Sequence, residues 1–314
     1  MANALKIAVL ITYHDERAML RECLQSLAEQ SVQPDEILIY DDCSQFLASD
    51  YLVADLPVKI IRGTTNVGPS AGRNRLLDEC SSDYIHFHDA DDLFRANWCE
   101  SVRSQIVAAS PDLVLNDISL FQEGKIVRER FYGFGGDADA SDLLRLAIRV
   151  TLVPSTATYR AQKVRRVGGY RPAIRYSEDY DFHLRLALSG VNYAVIPEPL
   201  ILQRAHQTNR SLNQAPFLMG AIRILDHLMP EIPAEYHAEV AEVSANFGSD
   251  LYRKGKRRDA REAFDLSVRA GNARFKRHRP MYRFIARLFG QEAAELATAL
   301  SRPALIATEP RAGA

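Results

Sequence analysis

Cysteine, net charge and long apolar runs are all scarce in this chain, and each scarcity closes off a class of protein. Its 314 residues include four cysteines, Cys23, Cys43, Cys80 and Cys99. They form no CxxC pair and have no histidine at metal-site spacing, so they read as free thiols, neither a zinc site nor a disulfide frame. Lys and Arg number 39 against 40 Asp and Glu, a formal charge of −1. No global field therefore draws the chain to nucleic acid, and no nucleic-acid partner is expected. The apolar run Ile7–Ile11 is too short to span a bilayer, and it passes into Thr12-Tyr13-His14-Asp15-Glu16-Arg17 without a small-residue cleavage site. The expectation is a cytoplasmic protein, with peripheral association at the inner face of a membrane left open. Hydrophobic residues make up 47% and charged ones 25%. That is enough apolar material for a full core, and the length suits one large domain plus a small one.

Apolar runs and helical periodicity alternate along the first two thirds. Lys6–Ile11 reads as a strand, and Met19, Leu20, Cys23, Leu24 and Leu27 recur at helical spacing after it. Glu36–Tyr40 is a second strand, closed by Asp41-Asp42-Cys43-Ser44, and Val58–Arg62 a third. Asn66–Gly72 reads as a loop, Arg73–Cys80 as a helix, and Tyr84–His88 as a strand ending at Asp89-Ala90-Asp91-Asp92. This alternation predicts a doubly wound, mostly parallel α/β sheet, in which ligands bind at the carboxyl ends of strands. The polar clusters all fall at such ends. Strand candidates at Asp112–Ile118, Val153–Tyr159 and Tyr193–Ile196 follow, with helices at Ser141–Arg149 and Glu178–Leu188 and a loop at Arg166–Tyr176. After Pro216 the pattern turns helical, over Phe217–Leu228, Ala234–Lys254 and Asp259–Ala270. A catalytic domain over 1–215, a helical region over 216–300 and a loose tail over 301–314 are the expected divisions.

The most informative cluster is His88-Asp89-Ala90-Asp91-Asp92. Three carboxylates in four positions repel one another unless a cation neutralises them, and hard oxygens suit Mg²⁺ or Mn²⁺. The bland alternative is a solvated turn with Asp92 capping a helix. A second cluster, Tyr176-Ser177-Glu178-Asp179-Tyr180-Asp181, opens an amphipathic stretch, where the helix macrodipole alone would favour acids.

Asp89-Ala90-Asp91-Asp92, preceded in order by Asp41-Asp42-Cys43-Ser44 and by Asn66-Val67-Gly68-Pro69-Ser70-Ala71-Gly72-Arg73-Asn74, resembles the inverting GT-A glycosyltransferases. These belong to the large family, of the family 2 type, that includes many bacterial polysaccharide and lipopolysaccharide enzymes. The resemblance covers roughly residues 5 to 211. It implies a Rossmann-like GT-A fold with a C-terminal helical region, and a nucleotide-sugar site. Tyr13 would lie against the base, with Thr12 and Glu16 near the nucleoside and Asp42 accepting a hydrogen bond from the base, a preference that favours a UDP-sugar. Asp89 would contact the ribose, beside Ala90, and Asp91 would bind the metal bridging the phosphates. His14 stands where such enzymes often have Asn. The Glu178–Asp179 pair would supply the catalytic base, Asp179, with Glu178 orienting it or the acceptor. His206, in Gln203–Ser211, would approach the metal or diphosphate. Asn66 and the glycines at 68 and 72 would let a ligand come close to the backbone, and Arg73 would offer a planar cation to phosphate or sugar.

The implied chemistry is a single displacement. An acceptor hydroxyl of a glycan or lipid-linked acceptor loses its proton to a carboxylate and attacks the anomeric carbon, while a divalent metal stabilises the departing diphosphate. Gly133–Asp139 and Arg166–Tyr176 are the expected acceptor loops. Lys254, Lys256, Arg257, Arg258, Arg261 and the basic stretch from Arg274 to Arg287 read either as an interfacial surface or as a charged outer helix face. A nucleotidyltransferase is disfavoured because Thr12–Arg17 has no glycine. The remaining rival is a catalytically silent nucleotide-sugar-binding scaffold that acts through its C-terminal helices.

Overall fold

The structure, a computed structural model, describes residues 5–136, 140–205, 214–271 and 280–301. The chain divides into two compact units, Met1–Gln214 and Ala215–Ala314. In chain order the first unit contains β1 (Ile7–Tyr13), α1 (Ala18–Ala28), β2 (Glu36–Asp41), β3 (Lys59–Arg62), α2 (Pro69–Glu79) and β4 (Tyr84–Asp89). Then come β5 (Leu93–Phe94), α3 (Trp98–Ala109), β6 (Leu113–Gln122), β7 (Lys125–Arg128), α4 (Leu143–Arg149), β8 (Ala157–Arg160), α5 (Ala161–Arg166), α6 (Glu178–Leu188) and β9 (Tyr193–Arg204).

Among the described residues these strands form one sheet in the order β3-β2-β1-β4-β8-β6-β9-β5, with β7 paired to β6. The half that carries the sequence motifs is parallel: β1 pairs β2 and β4, and β2 pairs β3. Beyond β4 the sheet is mixed, because β8 runs antiparallel to both β4 and β6. The apolar run of β1 is continuous because both of its faces are covered. Ile7, Val9, Ile11 and Tyr13 enter one buried cluster with Leu20, Leu24 and Leu27 of α1 and with Trp98, Val102 and Ile106 of α3. Ala8 and Leu10 enter the other, with Leu76 and Leu77 of α2 and Phe182 and Leu186 of α6.

Two helices differ from expectation for local reasons. Helix α2 begins at Pro69, four residues before Arg73, because Gly68 takes φ +82° as its N-cap and Pro69 supplies a preset helical φ at the first position. Gly72 thus lies inside the helix, where a Cβ would stand 2.9 Å from Tyr40 Cδ1 and 3.2 Å from Thr12 Cγ2. Its close approach is to the ends of β1 and β2, which corrects the reading of it as a ligand-facing glycine. Helix α3 was not anticipated, although Trp98, Val102 and Ile106 are spaced one helical turn apart and buried. The cysteines are all free, three of them buried and Cys43 partly exposed.

The second unit is helical: α7 (Gln214–Leu228, starting at the last residue of the first unit), α8 (His237–Arg253), α9 (Arg257–Arg269), α10 (Pro280–Phe289) and α11 (Gln291–Ser301). Helices α8 and α9 pack so closely that a Cβ on Gly248 would lie 2.4 Å from Phe264 Cε1. Part of the basic surface is spent within the unit, since Arg261 forks onto Glu292 and Arg269 pairs with Asp226. Arg274, Lys276, Arg277, His278 and Arg279 lie outside the described residues.

Candidate active site

The carboxyl ends of β1, β2 and β4 lie side by side. Thr12 is in register with Tyr40 on one side and Asp89 on the other, and Tyr13 with Asp41. Strand alternation then decides which side chains are available. Tyr13 points into the core, fully buried, and its hydroxyl donates to Phe46 O at 2.8 Å. Burial pushes this phenol up to about 12. The expectation that Tyr13 lies against a base is corrected accordingly: its ring packs with the core cluster that covers α1. Thr12, one residue earlier, stays partly exposed at the strand end.

The two aspartates after β2 organise the neighbouring loops. Asp41 is buried and accepts from Ser44 N at 2.9 Å, from Ala48 N at 3.2 Å and from Arg62 Nη1 at 2.7 Å. Asp42 receives Val67 N at 2.7 Å on one oxygen and Gly68 N at 2.8 Å on the other. Its carboxylate thus holds the Asn66–Gly68 loop in place. His14 joins the same junction, with Nδ1 3.0 Å from Asp42 O and Nε2 3.1 Å from Asn66 Nδ2. These distances fit one neutral tautomer, in which Nδ1–H donates to the carbonyl and Nε2 accepts from the amide. The departure at position 14 therefore has a structural role, stitching three loops together.

Acidic groups converge after β4. Glu16, bonded through Oε2 to His14 N at 2.5 Å, is pushed up to about 7 by burial and by the nearby charges of Asp91 and Asp89. Asp92 is buried and ties down the end of β9, taking Arg204 N at 2.8 Å. It is not a helix cap, because Asn97 holds the N-cap position of α3. Arg204 also donates through Nε to Asp91 O at 2.9 Å and through Nη2 to Glu22 at 2.5 Å. Ala90 is buried between the two partly exposed acids of the motif. Beneath it, His88 stacks on Phe94 with centroids 3.9 Å apart, and burial lowers its imidazole to about 4.

The Glu178 cluster separates into distinct tasks. Asp181 is buried and paired with Arg185 at 2.7 Å and Arg171 at 3.2 Å. Arg185 also donates to Val167 O at 2.6 Å and to Gly169 O at 2.8 Å, fixing the segment before Tyr170. Asp179, two residues earlier on α6, lies 3.2 Å from Arg73 Nη1. Burial pushes its carboxyl up to about 7, partly opposed by Arg73 and assisted by the charges of Glu178 and Asp89. Glu178 is buried beside it.

Arg73 joins the clusters. Its Nη2 lies 2.8 Å from Asp89 and its Nη1 3.2 Å from Asp179, while the guanidinium sits over the Tyr170 ring at 4.9 Å. The residue is only 3% exposed. Arg73, expected to offer a planar cation to phosphate or sugar, is engaged here by two carboxylates of the site. His206 and Arg210 lie outside the described residues, as does 137–139 of the glycine- and aspartate-rich loop. Among the described residues no group of three or more His, Cys, Asp or Glu comes together as a metal cage.

Four residues near the site were not singled out beforehand. Asp117, fully buried in β6, accepts from Ile118, Tyr132, Gly133 and Phe134 amides at 2.7–3.1 Å. It anchors the start of one expected acceptor loop and places Tyr132, whose hydroxyl bonds Thr151 O and Val153 N, within electrostatic reach of Asp179. Tyr170 lies under Arg73. His183 bridges Asp179 O at 2.8 Å and Tyr159 Oη at 2.7 Å. The signal for Asp117 was the polar pair Asn116-Asp117 inside an otherwise apolar run; the other three needed the tertiary fold.

This fold and cluster define a GT-A type of α/β protein. A profile of Glycosyl transferase family 2 matches residues 8–163. The chain is 30% identical over 188 residues to the uncharacterized glycosyltransferase YwdF of Bacillus subtilis, covering 58% of this chain and 68% of that one. It belongs to glycosyl transferase family 2. The matches span 61%, 68% and 42% of the lengths of the first curated relatives. Among solved structures, Staphylococcus aureus TarS 1–349 in complex with UDP-GlcNAc superposes with a TM-score of 0.59 at 18% identity, covering 85% of this chain and 93% of that one. The mannosyltransferase PcManGT of Pyrobaculum calidifontis, in complex with GDP-Man and Mn²⁺, gives a TM-score of 0.58 at 15% identity, covering 94% and 86%. At these identities the likeness is one of fold.

Proposed function

We propose that the chain transfers a sugar, with inversion, from a nucleoside diphosphate donor to a hydroxyl of a glycan or lipid-linked acceptor. The observation that carries the reading is the buried Arg73 fork, which joins Asp89 of the acidic motif to Asp179, itself 106 positions from Arg73 in sequence. Two motifs with separate expected tasks thereby share one site, as a displacement between donor and base requires. Asp179 takes the acceptor proton: it is partly exposed, and a carboxyl near pH 7 is matched to base catalysis. Glu178 orients it. Thr12, Glu16, Asn66, Gly68 and Asp42 line or brace the nucleoside side.

The donor set fits a divalent cation. Asp91 would hold it next to Asp89, and the pressure these acids exert on Glu16 is what a cation relieves. Mg²⁺ or Mn²⁺ at Asp91 would take further oxygen ligands from the diphosphate and water. When bound, such an ion binds the diphosphate and stabilises its charge as it leaves. A uridine nucleotide is the first donor to try, although both oxygens of Asp42 already hold backbone amides.

Calorimetric titration of nucleoside diphosphates with and without Mn²⁺, on the wild type and Asp91→Ala, tests the donor half. Metal-dependent binding of one diphosphate, abolished in the variant, is the expected result. Failure of every diphosphate to bind under both conditions would overturn the assignment.

A further inference from the structure

Arg73 is a buried charge between the two acidic motifs of the site, and the reaction proposed above gives it no task. We infer that Arg73 is a positioning residue for the base and not a ligand of the donor: it sets the direction of the Asp179 carboxylate and links that direction to Asp89. This rests on the reading of Asp179 as the base.

Three observations support it. The first is accessibility. The Arg73 side chain is 4% exposed, whereas Asp89 is 36% and Asp179 21% exposed. The carboxylates face the opening and the cation lies behind them, shielded from an incoming diphosphate. The second is shape. A guanidinium presents its N–H groups in a rigid plane, so one arm at 2.8 Å on Asp89 constrains the other at 3.2 Å on Asp179. An ammonium of the same charge would attract both acids without fixing the angle between them.

The third is that the cation is itself held in a closed frame. Its platform, Tyr170, is clasped by the neighbouring side chain on α2: Asn74 Nδ2 donates to Tyr170 O and Tyr170 N donates to Asn74 Oδ1, each at 2.8 Å. Gly169 makes room for this clasp, since a Cβ there would come within 2.5 Å of Asn74 Oδ1. Arg185 of α6 grips Val167 O and Gly169 O from the other side, and its partner Asp181 is one half-turn from Asp179. Helix α2, the 167–170 segment and the first turn of α6 thus form one ring of contacts, and Arg73 bridges its inside. A frame this determined suits a group that must keep a carboxylate within a narrow range of angles while an acceptor hydroxyl approaches.

The test measures diphosphate affinity with Mn²⁺ by calorimetry, and kcat and KM for donor turnover to acceptor or water, in Arg73→Lys, Asp89→Asn and their double variant. Thermal melting checks that each is folded. Arg73→Lys is expected to keep diphosphate affinity within about threefold of the wild type and to lose about 100-fold in kcat. Asp89→Asn is expected to lower kcat less on the Arg73→Lys background than on the wild type, because the two act through one linkage. If affinity falls in parallel with kcat, or the two losses simply multiply, Arg73 is a donor ligand or an unrelated structural residue and the inference fails. Should Arg73→Lys not fold, Tyr170→Leu removes the platform and leaves both carboxylates in place. Reduced kcat at unchanged affinity supports the inference there, and unchanged kcat overturns it. Full turnover by Asp179→Asn is a different outcome: it removes the underlying assignment of the base.

Discussion

At the scale of single residues, chemistry here follows from burial as much as from identity. Asp179 and Asp181 are two positions apart on one helix, yet Asp181 is neutralised by Arg185 and Arg171 while Asp179 keeps a solvent-facing edge and a carboxyl raised to about 7. If Asp179 is the base, kcat/KM rises with pH through that value, because only the ionised form accepts the proton. The sign for stability is opposite. A carboxyl whose folded pKa lies above its usual value near 3.8 holds its proton more tightly when folded, so ionisation between about pH 4 and 7 lowers stability. Asp179→Asn should therefore abolish the pH limb, lower turnover by about 10²–10⁴-fold, and lose less stability than the wild type between those pH values. A pH–rate profile together with melting at two pH values checks both. The acids were legible in the sequence by type and order. Their division of labour was not, because Arg171, Arg185 and Arg73 come from three separate elements.

At the scale of elements, the framework around the site depends on small departures from regular structure. Gly68 at φ +82° starts α2 early enough to bring Arg73 and Asn74 into its second turn. Gly169 at φ +61° lets the segment before Tyr170 close onto Asn74. Gly169→Ala adds a left-handed residue and a Cβ against an atom already engaged in a hydrogen bond. The expected loss is on the order of 2 kcal/mol, seen as a lower melting temperature, together with a reduced kcat. A variant as stable and as active as the wild type would show that the frame does not support the base. Strands β1, β2 and β4 and helices α1 and α6 could be read from periodicity alone. Strands β5 and β7, of two and four residues, carry too little pattern to read, and β7 is exposed along its whole length.

At the scale of the whole molecule, the proposed ion would be held by Asp91 together with oxygens of the donor diphosphate. Metal and diphosphate should therefore bind as a pair. In melting experiments Mn²⁺ alone is expected to shift the midpoint little. Mn²⁺ with a bound nucleoside diphosphate at about 100 times its dissociation constant should stabilise by about 2.7 kcal/mol, and a chelator should reverse this. Equal stabilisation by the diphosphate in chelator would argue against the metal. No described helix is long and apolar enough to cross a membrane.

The sequence by itself determined strands β1, β2 and β4, helices α1 and α6, the acidic motif after β4 and the Glu178–Asp179 pair. Each is a local pattern, set by side-chain period or by a run of like charges, and needs no knowledge of what packs against it. Only the tertiary structure decided what those residues face. Tyr13 turned into the core because its strand alternates against α1, and Asp42 was drawn onto the backbone of the next loop. Arg73, which reads in sequence as a planar cation for phosphate or sugar, became the buried link between Asp89 and Asp179. Contacts of this kind join residues far apart in the chain, and their energies depend on burial that no single segment encodes.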